Sequence, residues 1–172
     1  MDALKKAANE YRQAFEIAKK NNIDALDPLC TWIQLESVLI LNEKPGGTIN
    51  WGKISVNKYK LPSIKTISGW LDKLLESGYE QDKDYDFWDL LNIANVLLTK
   101  LCLLPGNSVK ETDIITAVKK EWIRTGANVK IDNGLEYLNL LITAFDLSKQ
   151  SKAKTISKTL SKLSDLLAKE KA

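Results

Sequence analysis

The chain has 172 residues, of which 44% are hydrophobic and 27% charged, and such a composition fits a globular core or a short helical array. The formal net charge of +3 is too small by itself to indicate a nucleic-acid or membrane partner. Histidine is absent, which excludes Ser-His-Asp and Cys-His catalytic arrangements and zinc sites that use histidine.

The first predicted element is an amphipathic helix over residues 3–20. Small and aromatic residues share its apolar face, whereas Arg12 falls among the polar residues on the other side. The pair Asn21-Asn22 ends the helical pattern. The predicted apolar face consists of Leu4, Ala7, Ala8, Tyr11, Ala14, Phe15 and Ala18.

A second helix begins at Asp27-Pro28, which has the form of an N-cap followed by proline at the first helical position. This helix continues to about Leu41 and is apolar on most sides, apart from Glu36. We therefore expect it to lie inside the fold.

Residues 42–62 interrupt the helical pattern, and Pro45-Gly46-Gly47 marks a turn. The short alternation that follows predicts an ordered loop or a small β-ribbon inserted between helices. Two interpretations of its aromatic and basic residues stay open, namely an anchor for a partner or a lid that folds back. The candidate contact residues are Trp51, Lys53, Lys58 and Tyr59.

Five further helices are predicted, for a total of seven in one domain over residues 1–172. The segment 86–104 is the most apolar and is expected to be central. Ser108 with Glu111, and Asn133 with Glu136, have capping-box spacing before the fifth and sixth helices. The predicted ranges are 62–77, 86–104, 109–125, 134–147 and 150–170.

Neither the cysteines nor the acidic residues form a recognisable reactive or metal site. Cys30 and Cys102 each lie in an apolar run, which predicts buried thiols rather than a disulfide or metal ligands. Residues 82–86 begin like a calcium loop, but Phe87 and Ile93 replace the required glycine and glutamate. We therefore expect no metal and no cofactor.

The helical pattern resembles the tetratricopeptide repeat, a family of 34-residue helix pairs. Glu36 and Asn92 stand where that family prefers glycine, and the intervals are not 34 residues. The resemblance implies an all-α, degenerate stack of antiparallel helical hairpins that acts as a scaffold. The second-helix pattern matches Ala7, Tyr11, Ala14 and Phe15, and the first-helix W-x2-L pattern matches Trp32 with Leu35 and Trp88 with Leu91.

Segments 14–41 and 84–98 are also similar to the divergent tetratricopeptide-like regions of bacterial conflict systems, which accompany caspase-like CHAT proteases. No protease motif is present in this sequence. The likeness implies a cytoplasmic, non-enzymatic scaffold of a prokaryotic antiviral defence complex whose partner is another protein. No signal-peptide pattern or bilayer-length apolar stretch suggests a membrane.

Lysines are concentrated in the predicted C-terminal helix, within residues 148–172, where Lys154, Lys158 and Lys162 share one face. One interpretation is a solvated outer face that closes the stack. The other is a docking surface for an acidic protein or a nucleic-acid backbone. Nucleic-acid binding through this helix is therefore the alternative to the protein scaffold.

Overall fold

The computed structural model describes residues 2–23, 25–43, 55–56, 59–60, 63–78, 87–103, 112–113, 116 and 128–170. In this part of the chain we label six helices, α1 (Asp2–Lys20), α2 (Leu26–Glu43), α3 (Ile64–Gly78), α4 (Phe87–Leu103), α5 (Asn128–Asp146) and α6 (Ser151–Glu170). Two-residue strands, β1 (Ser55–Val56) and β2 (Tyr59–Lys60), lie between α2 and α3. The predicted all-α class is confirmed.

Two predicted segments are described only in part. Within 42–62, the first two residues extend α2, and β1 pairs antiparallel with β2 through Ser55–Lys60 and Val56–Tyr59. The extent of the predicted ribbon lies outside the described residues. Within the predicted helix 109–125, residues 112, 113 and 116 are helical and the others are not described.

The end of α1 agrees with the prediction at Asn21-Asn22. Asn22 adopts a left-handed conformation with φ of 53°. The N–H of Ile23 donates to the carbonyl of Ala18 at 3.0 Å, and that of Asn22 donates to Lys19 at 3.4 Å. These two bonds form a Schellman motif, in which asparagine tolerates the left-handed position better than most residues do.

Two predicted helix starts are shifted slightly. Helix α2 begins at Leu26, so Asp27 lies in its first turn rather than at its N-cap. Helix α3 begins at Ile64 rather than at residue 62, because the hydroxyl of Ser63 accepts the Thr66 N–H at 3.1 Å and caps the helix.

The predicted start of the sixth helix at residue 134 is wrong, because α5 already begins at Asn128. Asn133 therefore lies inside the helix and cannot be its N-cap. An asparagine followed three residues later by glutamate also occurs within helices. The glycine at position 134 costs about 1 kcal/mol there, which tertiary packing offsets.

Helix α2 is the centre of the fold, since it packs against α1, α4, α5 and α6. Every residue from Trp32 to Leu41 is buried, including Glu36. We expected the segment 86–104 to be central. The corresponding helix α4 packs mainly against α2 and α3 and contributes side chains to both apolar clusters, whereas α2 has more helix neighbours. An apolar sequence indicates burial but does not determine which helix has the most neighbours.

Two apolar clusters contact α2 from opposite sides. The first joins α2 and α4 to the α5–α6 hairpin, and the second joins α2 to α1, α3 and α4. The first cluster includes Val38, Leu98, Leu138, Leu141, Phe145, Ile156, Leu160 and Leu163. The second includes Ala8, Phe15, Leu29, Cys30, Trp32, Ile33, Ile67 and Leu71.

The turn between α5 and α6 closes the carboxyl end of α2. The carbonyl of Leu41 accepts the Ser148 hydroxyl at 2.7 Å and the Gln150 amide at 2.9 Å. The Asn42 amide donates to the carbonyl of Ala144 at 3.2 Å. The last hairpin thus returns to α2, unlike an open array whose repeats contact only their neighbours. Repeat-like stacking stays a prediction.

Candidate functional site

The two sides of α1 differ from the predicted ones. Phe15 is buried as expected, and so is Arg12, at 4% exposure, although it was assigned to the polar side. Tyr11 is 38% exposed and Ala14 is exposed, although both were assigned to the apolar side. The buried face is therefore rotated around the helix relative to the expected one.

The buried Arg12 is hydrogen-bonded through two of its guanidinium nitrogens to side chains of α1 itself. Its Nη1 donates to Glu16 Oε1 at 2.6 Å, and its Nη2 donates to Asn9 Oδ1 at 2.9 Å. The aliphatic stem of arginine then packs as an apolar group beneath its charge. Polarity alone assigns such a residue to the wrong side of the helix.

The rotation leaves an apolar row on the surface of α1. We call this row the α1 stripe and define it as Ala3, Ala7, Tyr11, Ala14 and Ile17. Its members are three or four residues apart, so they are neighbours on one helix flank and extend over about 21 Å. Ala7 is half-buried, the other four are exposed, and Ile17 retains 61% of its accessible surface.

An aromatic stack fixes α1 beneath this stripe. The Phe15 ring lies 5.8 Å from Trp32 on α2 and 5.7 Å from Trp70 on α3. The Lys19 ammonium lies 4.9 Å from the Trp70 ring centroid, within cation–π range. Trp32 is buried as predicted, whereas Trp70 is only half-buried. The stripe is therefore carried by a helix with a defined orientation.

A buried polar network holds three helices together behind this surface. The Gln34 amide on α2 donates to Asn95 Oδ1 and Thr99 Oγ1 on α4, both at 2.8 Å. The phenol of Tyr137 on α5 donates to Gln34 Oε1 at 2.6 Å. Burial raises the pKa of Tyr137 far above its usual range, with smaller contributions from neighbours that include Tyr11. The phenol thus stays a donor.

The two cysteines are buried free thiols, as predicted. Burial raises the pKa of the Cys102 thiol to about 12. Because the thiolate is the reactive form, this thiol is inert at neutral pH. The described geometry therefore gives Cys102 a packing role.

The residues predicted as partner contacts fall into two groups. Trp51, Lys53 and Lys58 lie outside the described residues, as does the side chain of Tyr59, whose backbone forms part of β2. Lys154, Lys158 and Lys162 are exposed on one face of α6. The structure therefore brings the three C-terminal lysines together and leaves the loop residues untested.

Within the described part of the chain, no group of three or more His, Cys, Asp or Glu residues is placed to hold a metal ion. The acidic segment 82–86 lies outside that part. Among the described helices, none is both long and apolar enough to cross a membrane. No protein-family model, curated protein or solved structure matches this chain.

Three members of the α1 stripe, Ala7, Tyr11 and Ala14, were predicted to share the apolar face of the helix, whereas Ala3 and Ile17 were not assigned to it. The spacing A-x3-Y-x2-A correctly indicates a shared flank for Ala7, Tyr11 and Ala14. It does not indicate which residues of the apolar arc pack against α2. Ala8, Phe15 and Ala18 belong to the same arc and are the ones that are buried. Only the tertiary packing distinguishes the buried part of the arc from the exposed part.

Proposed function

We propose that this chain is a non-enzymatic module that binds another protein through the α1 stripe. The observation that supports it best is an apolar row exposed beside the packed face of the same helix. Tyr11 and Ile17 lie on this row as large exposed hydrophobic residues. The exposed Glu10, ion-paired to Lys6, borders this row on the same flank. Apolar residues exposed in one row with a polar border are a candidate interaction site.

The composition of the stripe favours a helix as the bound element. Three of its five positions are alanine, which lets a second helix approach closely beside Tyr11 and Ile17. The buried face of α1 packs against α2 in the same way, with Ala8 and Ala18 beside Phe15. An amphipathic helix of the partner would present apolar residues at the same spacing.

Energy for docking would come mainly from the two large side chains. Complete burial of an aliphatic or aromatic side chain contributes about 1.5–3 kcal/mol, and Ile17 has most of its surface available. Tyr11 offers an apolar ring together with a hydroxyl that can reach a polar group. The fixed orientation of α1 limits the entropy lost on binding.

The resemblance to tetratricopeptide-like regions extends the proposal. In that interpretation α1 is the second helix of a helix pair, and its exposed flank is a surface on which a helix of the partner packs. The similarity to bacterial conflict systems suggests that the complex is a cytoplasmic prokaryotic defence assembly. Trp51, Lys53, Lys58 and Tyr59 remain proposed contacts on the inserted segment.

Site-specific photo-crosslinking tests this proposal. A photoreactive amino acid replaces Ala14 in one protein and Ala168 in a control, since Ala168 is also an exposed helical alanine. The proposal expects the Ala14 probe to crosslink one protein in native cells, at an amphipathic helical segment, whereas the Ala168 probe does not. Equal crosslinking from both positions, or crosslinking to a second copy of this chain, would overturn it.

A further inference from the structure

The whole net charge of the chain lies on its last helix. Helix α6 carries five lysines against Asp165 and Glu170, which gives it a charge of +3. The rest of the chain carries twenty basic and twenty acidic residues and is neutral. The modest overall charge is therefore a local concentration rather than a diffuse excess.

Most of these lysines form a row along the exposed side of α6. We define the α6 lysine row as Lys154, Lys158, Lys162 and Lys169, all exposed. The first three are four residues apart, so their attachment points are separated by about 6 Å along the helix. Lys154 and Lys158 have no carboxylate partner among the described residues.

The opposite side of α6 is completely buried. Ile156, Leu160, Leu163 and Leu167 are each 0% exposed and pack in the first apolar cluster. The Ser157 hydroxyl donates to Asp146 Oδ1 at 2.5 Å, which also ties α6 to α5. The helix therefore presents its lysines from a fixed support, and the side chains beside Lys162 are the exposed Asp165 and the half-buried Leu166.

The residues on the exposed side of α6 distinguish between classes of partner. A protein interface needs buried apolar or aromatic anchors, and a membrane-bound helix needs an apolar face to insert. Binding of a single nucleic-acid strand depends on aromatic side chains that stack on bases. The exposed residues of α6 include none of these, whereas contacts to duplex phosphates need only positive charge.

We propose that the α6 lysine row binds the phosphate backbone of a nucleic-acid duplex without reading its sequence. Lysine suits this role because it acts as a mobile point charge rather than as a bidentate reader of bases. With three to four phosphate contacts, the logarithm of affinity falls with the logarithm of salt with a slope of about −2.7 to −3.6. Binding then weakens roughly 40- to 150-fold between 50 and 200 mM salt.

Fluorescence anisotropy with a labelled 20-base-pair DNA duplex tests the row directly. The double variant Lys154→Gln/Lys158→Gln is expected to reduce the salt slope by about 1.8. The control Lys65→Gln/Lys73→Gln removes the same charge from exposed lysines of α3 and is expected to retain the slope. Equal losses in both variants, or a salt-independent affinity, would overturn the proposal.

Competition experiments separate the duplex from other polyanions. A second duplex of unrelated sequence is expected to displace the labelled one equally well, and single-stranded DNA is expected to do so more weakly. Stronger displacement by poly-glutamate would indicate an acidic protein, and stronger displacement by phosphatidylserine vesicles would indicate a membrane surface. Either result would overturn the duplex assignment.

Discussion

The phenol of Tyr137 donates a 2.6 Å hydrogen bond to Oε1 of Gln34, a residue 103 positions earlier in the chain. Gln34 is completely buried, and its amide nitrogen is bonded to Asn95 and Thr99. This one side chain thus connects α2, α4 and α5. A buried polar network stabilises a specific arrangement only when its members are satisfied, as they are here.

Replacement of Tyr137 by phenylalanine leaves Gln34 Oε1 buried without this donor. The free energy of unfolding is expected to fall by about 1–3 kcal/mol, the usual cost of an unsatisfied buried polar atom. Urea denaturation measures the loss. Tyr11→Phe is the control, since Tyr11 is partly exposed and should change stability by less than about 0.5 kcal/mol. Similar values for both variants would exclude the network as a major source of stability.

The ion pair between Asp72 on α3 and Lys100 on α4 gives a second prediction. The Lys100 side chain is 11% exposed and that of Asp72 is 48% exposed, with 2.5 Å between Nζ and Oδ1. Asp72→Ala leaves the nearly buried ammonium of Lys100 without this partner. The free energy of unfolding is expected to fall by about 1–2 kcal/mol, a value reduced because the Asp72 carboxylate is half exposed and screened by solvent. Lys100→Met removes that charge and should cost less. The reverse order in chemical denaturation would contradict this.

Because the Cys102 thiol is buried, we expect the protein to lose stability in alkaline solution. The thiol pKa is 9.0 in a model peptide and about 12 in the fold, because of burial. Below pH 9 the Cys102 thiol keeps its proton in both the folded and the unfolded protein. Between pH 9 and about pH 12 only the folded protein keeps it. The free energy of unfolding therefore falls by up to about 1.4 kcal/mol per pH unit. Cys102→Ala should show a shallower decline in urea titrations above pH 9, and parallel curves would contradict the assignment.

Gly69 offers a stabilising substitution. It lies inside α3, and a Cβ added there meets no atom within 4 Å. Gly69→Ala is expected to raise the free energy of unfolding by about 0.5–1 kcal/mol, because alanine restricts the unfolded chain. An increase in the thermal midpoint checks this, and a decrease would show that α3 is not helical at this position.

The positions of the described helices could largely be predicted, because each contains either an apolar periodicity or a long apolar run. The end of α1 at Asn21-Asn22 depends on a left-handed backbone conformation that asparagine itself tolerates. It could therefore be predicted from the local sequence. The start of α5 at Asn128 could not be found, because a capping-box spacing inside a helix looks the same as one at its end. Such ambiguities are decided by contacts distant in the sequence.

The candidate site illustrates a different limit. Periodicity places Ala7, Tyr11 and Ala14 in one apolar arc with Ala8, Phe15 and Ala18, and it does not distinguish the buried part of that arc from the exposed part. The structure places Arg12 on the buried side of α1, where it is hydrogen-bonded to Asn9 and Glu16, and this burial is not indicated by its polarity. The lysines of α6 were found from composition alone, because exposed charge needs no tertiary information.

The most direct test of the α1 stripe is the dissociation constant of the partner identified by crosslinking, measured by isothermal titration calorimetry. Ala14→Arg places a long charged side chain in the stripe, whereas the control Ala168→Arg adds the same residue to an exposed position on α6. The account predicts at least about tenfold weaker binding for Ala14→Arg alone, equal to about 1.4 kcal/mol, with unchanged thermal stability. Equal affinities for the two variants would contradict it.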